Sequence, residues 1–362
     1  MTKKLKLGSI AIGGGSPISI QSMNTTEPKD VEGTVRQIEL LTKAGCEVAR
    51  VAVNDLEDAA SLRKIIPRIK IPLVSDIQFD YKLAIAACEN GTDALRINPG
   101  NIGAKYKVEE VVRACKSRNI PCRIGVNSGS VKKELLNKSS HITAEILAES
   151  CREEIEIFES LDFTDICISV KSSDVKTMVG ANRIISRLYP YPLHLGLTEA
   201  GTNYRGSLKS AMAMAILLEE GIGDTIRVSL TEDPVMEVYA AKEILINLGL
   251  RKGLRIISCP TCGRTKIDLM GLAKKVEKTL DGVNYDITVA VMGCPVNGPG
   301  EAREADYGIA GGRGEGVLFR KGKVIKRVKE ERLFSELLDM IEEGENNEKC
   351  AGRFEESLRV SS

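Results

Sequence analysis

The chain is predicted to be an α/β protein in which a parallel (β/α)8 barrel of the TIM type is followed by a smaller α+β domain. Two observations predict this. Short, near-continuous apolar strands alternate with longer stretches of helical period up to about residue 248, and the alternation occurs eight times, as a closed barrel requires. Ionisable side chains then gather at the C-terminal ends of those strands, where barrels of this kind keep their active sites. An open doubly wound sheet is the alternative.

Each element has a local reason. Predicted strands run from Ile18 to Met23, Val48 to Val53, Pro72 to Ile77, Ala94 to Asn98, Cys122 to Val126, Ile166 to Val170, Leu193 to Leu197 and Ile226 to Leu230. Helices are expected over Val31 to Ala44, Leu56 to Ile66, Val108 to Ser117, Ala144 to Leu161, Leu208 to Glu220 and Val235 to Leu248, where apolar residues recur every three and four positions. A turn around Gly249 to Gly253 ends the barrel domain, over residues 1–251. The second domain, over 252–345, begins with a strand from Leu254 to Ser258 and a helix from Asp268 to Leu280. A strand from Ile287 to Met292, glycine-rich hairpin signals from Gly308 to Gly322 and a last helix from Glu330 to Glu342 complete it. Residues 346–362 are polar and are expected to form a tail without a functional role.

Composition excludes several functions. Across 362 residues, 51 Lys and Arg against 50 Asp and Glu leave a net charge of +1, so no nucleic-acid partner is implied. No apolar run approaches the ~20 residues that a membrane helix needs. The opening Met1-Thr-Lys-Lys-Leu-Lys6 lacks the apolar stretch of an export signal, and a cytoplasmic location is expected. Ten cysteines are then free thiols for metals or catalysis rather than a disulfide framework. Six of them, Cys46, Cys88, Cys115, Cys122, Cys151 and Cys167, lie in apolar patterns and are expected to be buried.

The polar residues at the strand ends form an array. Arg50 lies within the second strand, Asp76 closes the third, Arg96 and Asn98 close the fourth, and Arg123 with Asn127 brackets the fifth. Lys171 follows the sixth, Thr198 and Glu199 follow the seventh, and Arg227 and Ser229 occupy the eighth. Four arginines and a lysine facing one mouth repel one another by ~1 kcal/mol per pair or more. An anion or carboxylates must offset that. Guanidinium forks match phosphate oxygens bidentately, so a diphosphate is the expected occupant. Ion pairing of the arginines with Asp76 and Glu199 is the purely structural alternative.

A second constellation lies in the smaller domain. Cys259-Pro-Thr-Cys262 and Cys294-Pro-Val-Asn-Gly-Pro-Gly-Glu301 supply three thiols and a carboxylate, and the glycines and prolines near Cys294 let the backbone approach a bulky group closely. The only histidines are His141 and His194, both in the first domain, so a zinc site would have to recruit Cys350. The set favours an iron–sulfur cluster over zinc. Glu301 is a candidate fourth ligand, or equally a loop carboxylate paired with Arg303.

At these residues the chain resembles a known family. Met23, Leu95-Arg-Ile-Asn-Pro-Gly-Asn-Ile-Gly103, Arg123-Ile-Gly-Val-Asn-Ser-Gly129, Thr198-Glu-Ala-Gly201, Cys259-Pro-Thr-Cys-Gly-Arg264 and Gly293-Cys-Pro-Val-Asn-Gly-Pro-Gly-Glu-Ala302 carry the likeness. They resemble segments of the bacterial 4-hydroxy-3-methylbut-2-enyl diphosphate synthases, enzymes of the methylerythritol phosphate route to isoprenoids, and the likeness runs over about residues 5–345. The resemblance implies a [4Fe-4S] cluster on Cys259, Cys262, Cys294 and Glu301, and a cyclic substrate, 2-C-methyl-D-erythritol 2,4-cyclodiphosphate. The family opens that ring reductively and removes a hydroxyl, with two electrons from flavodoxin or ferredoxin.

By the same similarity Arg50, Arg96, Arg123, Lys171, Arg227 and Ser229 hold the diphosphate, while Asn98 and Asn127 orient the substrate. Glu199 handles a proton, Asp76 orients its neighbours, and Asn297 contacts the substrate. Gln78 is a departure, since the family commonly has His in the segment Asp-Ile-His-Phe. Glutamine can hydrogen-bond an oxygen but cannot carry a proton. A homodimer is also implied, one copy's cluster domain capping the other's barrel. Two functions compete: a barrel aldolase using Lys171 as its Schiff-base lysine, and a zinc-containing sugar-phosphate-binding protein.

Overall fold

The structure, a computed structural model, describes residues 1–131, 141–283, 285–294 and 302–359. The chain divides into two compact units, Met1–Leu250 and Arg251–Ser362.

The first unit opens with an antiparallel hairpin, β1 (Leu5–Leu7) and β2 (Ile10–Ile12), turning at Gly8 with φ +54°. Its strands are three residues long, too short for a period-two pattern to stand out, and the sequence reading did not foresee them. Leu5, Leu7 and Ile12 pack against Val48, Val74, Ala94 and Cys167, residues at or next to the starts of four barrel strands. The hairpin therefore stoppers the N-terminal end of the barrel.

Eight parallel strands follow: β3 (Ser19–Met23), β4 (Val48–Ala52), β5 (Leu73–Ile77), β6 (Ala94–Ile97), β7 (Cys122–Asn127), β8 (Ile166–Lys171), β9 (His194–Leu195) and β10 (Thr225–Ile226). Their order is β8-β7-β6-β5-β4-β3-β10-β9. A parallel bridge between Ile168 and Leu193 closes the ring, with the Ile168 N–H donating to Pro192 O at 2.8 Å. The barrel expectation holds, but β9 and β10 stop short of the expected Leu197 and Leu230. Beyond Leu195 the chain passes Gly196, where a Cβ would strike the Arg227 carbonyl oxygen, so the two segments run too close for a regular ladder.

Helices Val31–Ala44, Leu56–Ile65, Lys105–Arg118, Ala144–Glu159, Asn203–Glu219 and Pro234–Asn247 stand where helical period predicted them, and Tyr81–Glu89 and Val175–Leu188 complete the repeats. Side-chain caps fix many of their starts: Asp30, Asp55, Asp80, Thr143, Asp174 and Asp233 each accept a backbone N–H of the first turn. The six cysteines expected inside are all buried.

The second unit is a five-stranded sheet. β11 (Arg255–Ser258), β12 (Thr288–Met292) and β13 (Tyr307–Gly311) run parallel; β14 (Glu315–Arg320) and β15 (Lys323–Lys329) continue antiparallel. Helices Leu269–Leu280 and Leu333–Arg359 cover one face, Leu269, Val276, Leu333 and Leu337 meeting Val289, Val291 and Ile309. The polar tail expected from residue 346 is instead a continuation of that last helix, which runs to Arg359 rather than ending at Glu342. Glu345 shows why it does not stop: buried, it accepts a hydrogen bond from Tyr307 Oη at 3.2 Å and ties that turn to the sheet. Among the described residues no helix is long and apolar enough to cross a membrane.

Candidate active site at the barrel mouth

Strand register brings the array to one level. Asp76 on β5 pairs with Arg96 on β6, Arg96 pairs with Arg123 on β7, and Asn127 on β7 pairs with Lys171 on β8. Laterally paired residues of a sheet point to the same face. Arg50, Asp76, Arg96, Asn98 and Arg123 are all buried, none more than 9% exposed.

Asp76 is the first counter-charge. Its Oδ2 accepts from Arg50 Nη2 at 2.7 Å and from Gln78 Nε2 at 3.1 Å, while Oδ1 accepts from Arg96 Nη1 at 3.1 Å. Burial alone would raise this carboxyl, but Arg50 and Arg96 outweigh it and hold the group down at about 2. The departure at Gln78 thus has a local role, an amide N–H steadying Asp76. The structural alternative is half realised here, since Asp76 pairs with two arginines. Glu199 pairs with none among the described residues: it is exposed beyond β9, in the left-handed region at φ +53°.

Glu237 is the second counter-charge, and the sequence reading missed it. It rises from the first turn of Pro234–Asn247, 3% exposed, and accepts from Arg227 Nε and Nη2, each at 3.0 Å. The readable signal was a carboxylate on the buried stripe of that helix, in line with Ala241 and Leu245. Arg227 and Ser229 lie beyond the short β10 rather than within it, and Asn98 follows β6 as the residue before a short helix, Pro99–Ile102.

The remaining cations have weaker company. Arg123 Nη1 donates to Gln21 Oε1 at 2.6 Å, a neutral partner, and burial beside Arg50 pushes its guanidinium down to about 9. Arg50 is likewise pushed to about 10, mainly by burial, and both stay charged at neutral pH. Lys171 is pushed well below its usual range by burial and by Arg227, Arg50, Arg123 and Arg96. Two glycines make room for these groups: a Cβ at Gly125 would lie 2.5 Å from Arg96 Nε, and one at Gly196 would lie 3.0 Å from Lys171 Nζ. Deeper in the barrel, buried His194 places Nδ1 3.4 Å from Thr225 Oγ1 and leaves Nε2 without a partner among the described residues. Burial, Arg123 and Lys171 hold it neutral, well below the usual imidazole range. Asn98 Nδ2 is also buried without a partner among the described residues.

In the other unit, register again does the placing. β11 and β12 pair in parallel, Ser258 opposite Val291, so Cys259 and Cys294 leave the same end of adjacent strands. The Gly293 N–H donates to Cys259 Sγ at 3.2 Å, and the Lys266 N–H donates to Gly293 O at 3.0 Å, stitching the two loops together. The Arg264 N–H and Thr265 lower the exposed Cys262 thiol. All three cysteines are free, yet among the described residues no three His, Cys, Asp or Glu stand as a metal-holding group. Asn297 and Glu301 lie outside the described residues.

Family comparison matches these two units separately. The model of the GcpE TIM-barrel domain matches residues 2–242, and that of the GcpE protein C-terminal domain matches residues 255–343. The chain belongs to the GcpE family. A relative from Clostridium perfringens, the 4-hydroxy-3-methylbut-2-en-1-yl diphosphate synthase (flavodoxin), is 59% identical over 94% of this chain and 98% of its own length. Proteins of the same name from Clostridium acetobutylicum and Fusobacterium nucleatum are 55% and 54% identical, over 94% and 96% of this chain and 98% and 99% of theirs. Among solved structures, a dihydropteroate synthase from Xanthomonas albilineans aligns at 15% identity and TM-score 0.49, over 66% of this chain and 96% of that one. In this GcpE chain the mouth gathers four arginines, Arg50, Arg96, Arg123 and Arg227, and the depressed amine of Lys171 around the two carboxylates Asp76 and Glu237.

Proposed function

We propose that the chain is a 4-hydroxy-3-methylbut-2-en-1-yl diphosphate synthase that takes electrons from flavodoxin, as the names of its relatives indicate. Its substrate is 2-C-methyl-D-erythritol 2,4-cyclodiphosphate, opened reductively. The comparisons support this reading and give no support to the Lys171 aldolase or the zinc-containing binder. The observation that carries it is the charge pattern of the mouth. Arg50 and Arg96 share Asp76 and Arg227 holds Glu237, whereas Arg123 and Lys171 have no ion-pair partner among the described residues. A diphosphate supplies the missing negative charge.

The residues then divide the work. Breaking a C–O bond to the diphosphate builds charge on its oxygens, and donors already fixed there stabilise that charge without rearranging. Arg50, Arg96, Arg123, Lys171, Arg227 and Ser229 are those donors, and Asn98 offers its unpartnered Nδ2 to the same ligand. Asn127 and Gln78 orient the substrate at the rim, Asp76 keeps Arg50 and Arg96 in place, and Glu199 handles a proton there. Cys259, Cys262 and Cys294 suit iron by their soft donor chemistry, and we assign them, with Glu301 as fourth ligand, to a [4Fe-4S] cluster. Such a group would pass on the electrons that flavodoxin delivers and would supply a Lewis acid. A homodimer, one copy's smaller unit serving the other's barrel, is part of the proposal.

Anaerobic reconstitution with ferrous salt and sulfide tests this. Iron, sulfide and broad visible absorbance are expected, lost in Cys294→Ser, with a dimer by light scattering. A colourless protein holding one zinc contradicts the cluster, and a fully active monomer contradicts the dimer.

A further inference from the structure

We infer that Glu237 is a positioning residue for the diphosphate site, acting through Arg227. This rests on the synthase reading above and extends it to a residue that does not touch the ligand. Four hydrogen bonds converge on the carboxylate from three parts of the barrel. Oε2 accepts from Ser22 Oγ on β3 at 2.9 Å and from Arg227 Nε at 3.0 Å. Oε1 accepts from Arg227 Nη2 at 3.0 Å and from the Leu230 backbone N–H at 3.1 Å.

The geometry suits orientation rather than simple neutralisation. A carboxylate gripping Nε and Nη2 fixes the plane of the guanidinium and leaves the remaining N–H groups of Nη1 and Nη2 for a ligand. One of these also meets Met23 Sδ, with Nη1 at 3.6 Å. β10 ends at Ile226, the Arg227 N–H makes one further backbone bond, to Leu195 O at 2.9 Å, and the Leu230 N–H bond shows that Glu237 organises the segment that follows. The carboxylate is itself placed by its helix: Asp233 caps the start, Pro234 opens the first turn, and Glu237 sits in that turn, where the helix dipole favours negative charge.

Charge and orientation predict opposite signs, which makes the test decisive. Glu237→Gln removes one negative charge from a mouth that already carries excess positive charge. If the carboxylate only balanced charge, an anion would bind more tightly. If it positions Arg227, inorganic pyrophosphate should bind about tenfold or more weakly to the full chain by calorimetry, in the range seen when one partner of a buried charged pair is removed. Against Arg227→Gln alone, the double variant should lose no more than about twofold further, because both changes act through one contact. Glu237→Asp keeps the charge but retracts it, should weaken binding too, and serves if the glutamine variant does not fold. Unchanged or tighter binding in these variants, or full additivity with Arg227→Gln, overturns the inference alone. Failure of the unaltered chain to bind pyrophosphate overturns the synthase reading and this inference with it.

Discussion

Lys171 shows what a single residue can reveal at this mouth. Burial, together with Arg227, Arg50, Arg123 and Arg96 around it, holds its amine well below the usual lysine range. A bound anion reverses that bias. The sign follows: the anion raises the affinity of the amine for a proton, so binding takes protons up. Calorimetry of pyrophosphate binding at pH 8 in two buffers of different ionisation enthalpy should show more proton uptake for the unaltered chain than for Lys171→Met; equal uptake would refute the coupling. The cations were legible in the sequence because each stands at a strand end, where barrel geometry aims it. Their counter-ions were only partly legible. Asp76 stands on a strand like its partners, but Glu237 arrives from a helix, and one-dimensional spacing does not bring it to the mouth.

At the scale of elements, the helices and most strands followed from period and capping, whereas the departures have steric causes. β9 and β10 are cut to two residues where Gly196 crowds Arg227, and the N-terminal hairpin is too short to show a period. Two glycines separate stability from function. At Gly8, φ is +54° and a Cβ would lie 2.6 Å from Asp93 Oδ1, so Gly8→Ala strains the stopper at the far end of the barrel. It should cost about 1–3 kcal/mol by thermal unfolding and leave pyrophosphate affinity unchanged. Gly125→Ala pushes directly on Arg96 at 2.5 Å and should weaken pyrophosphate binding about tenfold, the order expected when a bidentate cation is displaced. Equal effects of the two variants on affinity would refute the assignment of the mouth.

For the whole molecule, the two-part organisation was readable because the pattern changes near residue 252, from strand–helix alternation to a sheet with antiparallel strands, and the structure divides at Leu250 and Arg251. The extent of the last helix was not readable. The helix expected to end at Glu342 runs on, and at Glu345 Tyr307, far away in sequence, supplies a hydroxyl that ties it to the sheet. The cysteines stood out in the sequence by residue type and spacing, and register explains why Cys259 and Cys294 share one sheet end. The proposed reaction needs an anion site and an electron source in one catalytic cycle. Turnover tests that directly: the anaerobically reconstituted chain with reduced flavodoxin is expected to convert 2-C-methyl-D-erythritol 2,4-cyclodiphosphate to 4-hydroxy-3-methylbut-2-enyl diphosphate. Cluster-loaded protein that binds the cyclic compound yet forms none of that product would contradict the account.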